Sequence, residues 1–305
     1  MPLSYAELER FYEGLVTRAR EQGVTCAITS GMACVAYGIS QTTRDCDLLC
    51  APESCDRLFT VIRETRLQGA LASYRGHITP PLDARWMRGG WTSHFVWRMP
   101  EQEAYLDIFG SPPRATEAWQ SEIQGFYVGP HIVAEMKRTN RGKDWPFVTA
   151  LGGAMLKARD PRGWLHIFDD ELLLGFCSEA AIPSIALSRR PVLRLAEAHD
   201  PRLRAALHAE MQFWHELDRA RIRIYERAVR PYVVAVRKVG VRGQSLEDEH
   251  HTRVICAEQH LAKTPLRDYG LEKIIDEARS GLLELVNPAA TEWLPNVREY
   301  FNFLI

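Results

Sequence analysis

No stretch of this chain reaches the roughly 18 consecutive apolar residues that a membrane-spanning helix needs. No charged-then-apolar leader opens it either, so neither a span nor an export signal is expected. A surplus of one charge is also missing. The formal net charge of −1 leaves no global basic field to draw nucleic acid, so any such surface has to be local. There is no internal repeat and no low-complexity segment. The seven cysteines are odd in number and lack a repeating spacing, which argues against a disulfide framework and for a reducing compartment. Cys46, Cys50 and Cys55 lie close together without the second pair of a zinc set, and read as buried thiols. His250, His251, Cys256 and His260 lack the His-Glu-x-x-His spacing of a helical zinc site, so no zinc is expected there. A cytoplasmic protein without membrane contact is the expectation.

What is present is a composition rich enough for a large core. With 46% hydrophobic and 25% charged residues over 305 positions, one large domain or two ordinary ones are expected. The chain is organised around residues 24–49. The apolar run Val24-Thr25-Cys26-Ala27-Ile28-Thr29 reads as a strand, and Ser30-Gly31 as a small-residue turn that lets the backbone approach a ligand. A short helix follows from Met32, and its first free N–H groups suit an anion such as phosphate.

After a polar loop, Asp45-Cys46-Asp47-Leu48-Leu49 reads as a second strand. Alternation puts Asp45 and Asp47 on one face, roughly 6–7 Å apart, where they repel unless a cation lies between them. Oxygen ligands suit a hard divalent ion, and Mg²⁺ takes one or two protein carboxylates together with substrate phosphates. The Asp-x-Asp spacing alone also fits a solvent-facing turn; the Ser-Gly bend just upstream tips the pair towards a nucleotide site.

At these residues the chain resembles the nucleotidyltransferase superfamily, which shares a catalytic fold with DNA polymerase beta. The family pattern is a Gly-Gly or Gly-Ser turn and, ten to thirteen residues on, Asp-x-Asp. One branch runs glycine, variable residues, arginine, any residue, threonine, any residue, Asp-x-Asp, which here becomes Gly38-Ile39-Ser40-Gln41-Thr42-Thr43-Arg44-Asp45-Cys46-Asp47. Gln41 stands where that branch usually has arginine. The resemblance implies that Asp107, in Leu106-Asp107-Ile108-Phe109, is the third carboxylate; an aspartate capping the Ser111-Pro112-Pro113 turn is the plainer alternative. It further implies that Asp45, Asp47 and Asp107 hold two Mg²⁺ ions, and that Ser30, Gly31 and Thr43 bind the nucleotide. The segment Lys137-Arg138-Thr139-Asn140-Arg141-Gly142-Lys143-Asp144 resembles a second element of the abortive-infection toxin branch. In that branch lysines at the positions of Lys137 and Lys143 approach the phosphates, and a further aspartate often stands where this chain has Phe147.

The rest of the chain is read from capping and periodicity. Ser4-Tyr5-Ala6-Glu7 is a capping box opening a helix that Gly23 stops. Pro52 opens another helix. Residues 72–128 turn to strands, notably Trp91–Trp97 and Ala104–Phe109, with Gly89-Gly90 before the first. Pro130 starts a helix, Trp145–Lys157 is a second, and a long amphipathic helix spans about 201–238, kinked or ended by Pro231. Arg219, Arg223, Arg227 and Arg230 share a face of it, but interleaved Glu216, Asp218 and Glu226 make that a solvated face. Ser245 begins another capped helix, and the apolar tail from Trp293 is expected to pack against helices. The expected architecture is α+β: an α/β nucleotidyltransferase core with a small mixed sheet over 1–158, then an all-helical domain over 159–305, with nucleotide in the cleft between. The expected activity is transfer of a nucleoside monophosphate from a nucleoside triphosphate to a hydroxyl of an RNA end, a protein side chain or a small molecule. A toxin-type enzyme with an antitoxin partner falls within this reading. The alternative is a degenerate fold of the same kind that binds nucleotide without chemistry.

Overall fold

A computed structural model describes residues 2–43, 45–112, 123–241 and 243–298. Arg44, Pro113 and the tail from residue 299 lie outside the described residues. In chain order the elements are α1 Tyr5–Glu21, β1 Cys26–Thr29, α2 Ser30–Ala36, β2 Asp45–Cys50, α3 Cys55–Glu64, β3 Arg66–Leu67, β4 Ala70–Tyr74, α4 Ala84–Met87, β5 Thr92–Arg98, β6 Glu103–Phe109, β7 Ile123–Gln124 and β8 Tyr127–Val128. They continue with α5 Pro130–Lys137, α6 Trp145–Lys157, α7 Asp170–Glu179, α8 Ser184–Arg189, α9 Leu193–Glu197, α10 Leu203–Val239, α11 Leu246–His260, α12 Pro265–Tyr269 and α13 Leu271–Leu283. The class is therefore a mixture of helix and sheet, and every element described after residue 130 is helical.

Contacts divide the chain into two compact units. The first takes residues 1–113, 117–129 and 224–268; the second takes 114–116, 130–223 and 269–305. The first unit contains the sheet. Among the described residues its eight strands run in the order β3-β4-β5-β6-β2-β1-β8-β7, antiparallel except where β6 meets β2 and β1 meets β8. One face of the central strands is apolar: Cys46, Leu48, Phe95, Trp97, Leu106 and Ile108 are each buried. Helix α1 packs there through Tyr12, whose hydroxyl donates to the Tyr105 carbonyl at 2.7 Å, and through Phe11, edge-on to Trp97 at 5.1 Å. The capping box holds as read, with Ser4 accepting from the Glu7 N–H and Glu7 accepting from the Ser4 N–H.

Residues 224–268 join this unit through a second core of Trp86, Trp91, Tyr232, Val236 and Leu261. Gly89 shows why the joint needs glycine. A Cβ there would lie 1.7 Å from the Lys263 carbonyl oxygen, a clash no side chain relieves because the neighbour is backbone. Pro231 sits inside α10, which runs on to Val239. The proline removes one helix N–H, but Tyr232 and Val236 beyond it are fully buried, and their packing carries the helix past the missing bond.

The second unit is helical and has its own apolar core of residues such as Trp164, Ile167, Leu173, Leu193 and Leu207. Helix α6 takes the bounds its sequence suggested, opening with Pro146 in its first turn, where the missing N–H costs nothing. Among the described residues no helix is long and apolar enough to cross a membrane.

Candidate active site

The parallel pairing of β2 with β6 decides where the carboxylates go. Its register sets Asp47 opposite Asp107 and Asp45 opposite Tyr105. Thr29 of β1 pairs with Asp47, and His94 of β5 with Asp107. Just past β4, the Arg75 N–H donates to the His94 carbonyl at 2.9 Å. Residues in register share a face and neighbouring strands lie about 4.8 Å apart, so one polar rung crosses the sheet: Thr29, Asp47, Asp107, His94 and Arg75. Asp45 belongs to the same face, two residues from Asp47. The opposite face at this level is Cys46, whose thiol pKa is pushed up by burial first and then by the Asp47 and Asp107 charges, so it is an inert core thiol.

Adjacent carboxylates repel, and here a cation offsets the repulsion at one end. The Arg75 guanidinium lies 2.8 and 2.9 Å from the two oxygens of Asp107 and sits over the Tyr105 ring at 5.1 Å. His94 Nδ1 is 2.8 Å from the same carboxylate. Asp107 is thus paired, while Asp45 is exposed and opens on a cavity of about 750 Å³. Thr42, Thr43, Glu101, Glu103 and Tyr105 also line that cavity, which makes it rich in oxygen donors, and among the described residues no lysine or arginine lines it.

The Ser-Gly bend sits at the end of β1. Ser30 has φ 53°, a left-handed conformation that is strained for a residue with a side chain. Gly31 lacks the Cβ that would stand 2.7 Å from the Thr43 hydroxyl, so the space above it holds Thr43. The polar loop before β2 therefore folds back onto the bend, and Thr43 links it to the cavity beside Asp45. Tyr37, which caps α2, donates from its hydroxyl to the Val128 carbonyl at 2.6 Å and ties the helix to β8.

The lysines of the second motif belong to the second unit. Lys143 is exposed in the Gly142–Asp144 turn. Lys137 is mostly buried, 3.8 Å from Asp144 and over the Phe147 ring at 5.1 Å. Arg138, next in the chain after Lys137, is buried rather than solvated. It is 1% exposed, 3.4 Å from Glu135, and donates to His166 Nδ1 at 2.9 Å. Every residue of α5 from Ile132 to Lys137 is buried, and Arg138 continues that buried stretch.

The same cluster holds the one group of metal-ligand type among the described residues, His131, Glu135 and His166, whose ligand atoms lie within 4.8 Å of one another. It could hold an ion, but both of its histidines already have hydrogen-bond partners. His131 Nδ1 meets His166 Nε2 at 2.7 Å, and the other His166 nitrogen accepts from Arg138. That assigns His166 as the neutral Nε2–H tautomer. Burial, then the arginines around it, lowers the His131 pKa to about 3 and holds His166 well below its usual range. A divalent cation would have to enter beside the buried Arg138. His250, one of the histidines passed over for zinc, bonds the Tyr74 hydroxyl at 2.6 Å and stacks on Phe59 at 4.0 Å.

Sequence reading missed Arg75, His94 and the His131–Glu135–His166 group. The four-residue spacing of His131 and Glu135 on one helix was a usable signal for the last; Arg75 had none. No family model, curated protein or solved structure matches the chain.

Proposed function

We propose that the chain is a metal-dependent nucleotidyltransferase, moving a nucleoside monophosphate from a nucleoside triphosphate to a hydroxyl acceptor. The observation that carries this reading is the parallel β2–β6 register, which brings Asp107 beside Asp47 on the face that also bears Asp45. Carboxylates on one face offer the oxygen ligands of which a hard ion such as Mg²⁺ takes one or two together with substrate phosphates. When bound, the metal would neutralise the triphosphate and lower the pKa of the acceptor hydroxyl. Asp45 and Asp47 would hold it, with Asp107 joining once its pairing with Arg75 is relieved. The bend at Ser30 and Gly31 would present backbone N–H groups to the phosphates, and Thr43 would fix the loop above them. The oxygen-lined cavity beside Asp45 would seat part of the substrate.

The test is a label-transfer assay. Each α-labelled nucleoside triphosphate is incubated with the protein, Mg²⁺, total RNA and lysate protein, and pyrophosphate and labelled product are followed. Loss of both in Asp45→Asn and Asp47→Asn, with melting temperature unchanged, supports the reading; activity retained in both variants rejects it. A second reading has one observation in its favour. Asp107 is held by Arg75 and His94, as it would be in a module that binds nucleotide without chemistry. Calorimetric nucleotide binding without any labelled product favours that module.

A further inference from the structure

The pairing of Asp107 is the least expected feature of the rung, and its construction says what it is for. The Arg75 backbone is fixed. Its N–H bonds the His94 carbonyl and its carbonyl accepts from the Thr79 hydroxyl at 2.6 Å. The loop beyond is clamped by the buried Arg253, which donates to the Gly76 and Thr79 carbonyls at 2.8 and 2.7 Å, while the Tyr232 hydroxyl donates to Thr79 at 2.8 Å. Glu249 holds Arg253 in place at 2.7 Å. The guanidinium end is built differently: the Arg75 side chain is 34% exposed. A long side chain with an anchored root and a third of its surface exposed can act as a pivot, and its fork matches phosphate as well as carboxylate.

Resting on the nucleotidyltransferase reading, we propose that Arg75 is a displaceable counter-ion of the acidic rung. It holds Asp107 in the nucleotide-free protein and turns to the triphosphate when nucleotide arrives. Without metal, the rung needs this cation, because Asp47 and Asp107 are neighbours across two strands. With nucleotide, the phosphates offer Arg75 a stronger bidentate partner and leave Asp107 available as a metal ligand. Nucleotide binding and metal binding at Asp107 are then coupled through one side chain, and Arg253 is the positioning residue that keeps its root in reach.

The probe is Mn²⁺, counted by the paramagnetic resonance of the free ion, titrated into the full chain with and without a non-hydrolysable nucleoside triphosphate analogue. The analogue also binds Mn²⁺ in solution, and that complex is measured separately and subtracted. In the wild type, nucleotide should tighten Mn²⁺ binding about tenfold or more, the scale of one charge removed from a carboxylate. Arg75→Gln should bind Mn²⁺ about tenfold more tightly than wild type without nucleotide, and gain little when nucleotide is added. Arg75→Lys, which keeps the charge but not the fork, should fall between, and it serves if Arg75→Gln does not fold. Arg253→Lys should shrink the nucleotide effect without raising the nucleotide-free affinity. Wild-type Mn²⁺ binding that Arg75→Gln or Arg75→Lys leaves unchanged in both conditions overturns this proposal alone. No Mn²⁺ binding in any protein, with or without nucleotide, overturns the site reading and this proposal with it.

Discussion

The rung of the first unit and the charged cluster of the second unit use the same residue types in opposite ways. On the sheet, Asp45, Asp47, Asp107, His94 and Arg75 keep at least a partial opening to solvent. In the helical unit, Glu135, Arg138, His166, Arg190 and Glu210 are each no more than 1% exposed, and Arg190 closes on Glu210 at 2.9 Å and donates to the Trp164 carbonyl. A sealed ion pair offsets its desolvation only through its own partners, so its role is confined to fixing the fold. A half-open one can exchange a partner for a ligand. The contrast teaches that accessible pairing, rather than the number of charged residues, marks the site.

Breaking the sealed cluster should have the largest effect. Arg190→Ala leaves Glu210 buried without its partner, and is expected to cost about 3–5 kcal/mol of stability. Chemical denaturation checks this, and a loss below 1 kcal/mol would remove the distinction between the two regions.

Acid should act on the same cluster. His131 has a folded-state pKa of about 3, and His166 is also held low. The unfolded chain therefore binds more protons between about pH 6.5 and 3. Stability should be full above pH 6.5 and fall as pH drops through that window, by up to about 1.4 kcal/mol per pH unit for each histidine. His131→Gln should flatten the slope; an unchanged slope would mean that these histidines are not held neutral by the fold.

A cap gives a smaller effect. Ser245 accepts from the Asp248 N–H at 3.1 Å, so Ser245→Ala should cost about 1 kcal/mol, read as a shift in thermal melting. The smallest stability change belongs to the open rung. Arg75→Gln should alter stability by less than about 1 kcal/mol, because its ion pair is part-exposed and screened. A loss of several kcal/mol there would make Arg75 a structural residue and blur the comparison from the other side.

Much of the frame was legible in the sequence. Ser4 and Glu7 announced α1, Trp145–Lys157 announced α6, and alternation in β2 put Asp45 and Asp47 on one face. Asp107 could be nominated because Leu106-Asp107-Ile108-Phe109 resembles a strand that carries a third carboxylate. Its neighbours could not be named, because they depend on which strands pair and in what direction. Arg75 lies outside any strand and reaches Asp107 across His94, a relation that exists only once β4, β5 and β6 are in register. The strands before the 84–87 helix were blurred, since β3 is two residues long and its hairpin turns on Gln68-Gly69, both at positive φ. The burial of Arg138 was not legible either, for a related reason. Local composition suggests a basic loop, and only the packing of α5 against the 161–165 turn reveals a buried arginine, bonded to the Leu165 carbonyl and to His166.

The convergence of Asp47 and Asp107 on one ligand is the claim on which the functional reading stands. A double-mutant cycle measures it: Mn²⁺ affinity in the presence of a non-hydrolysable nucleoside triphosphate, for wild type, Asp47→Asn, Asp107→Asn and the double variant. Convergence expects each single change to weaken Mn²⁺ binding and the double change to cost clearly less than the sum of the two. Additive losses, or a full-strength Mn²⁺ site in Asp47→Asn, would contradict it.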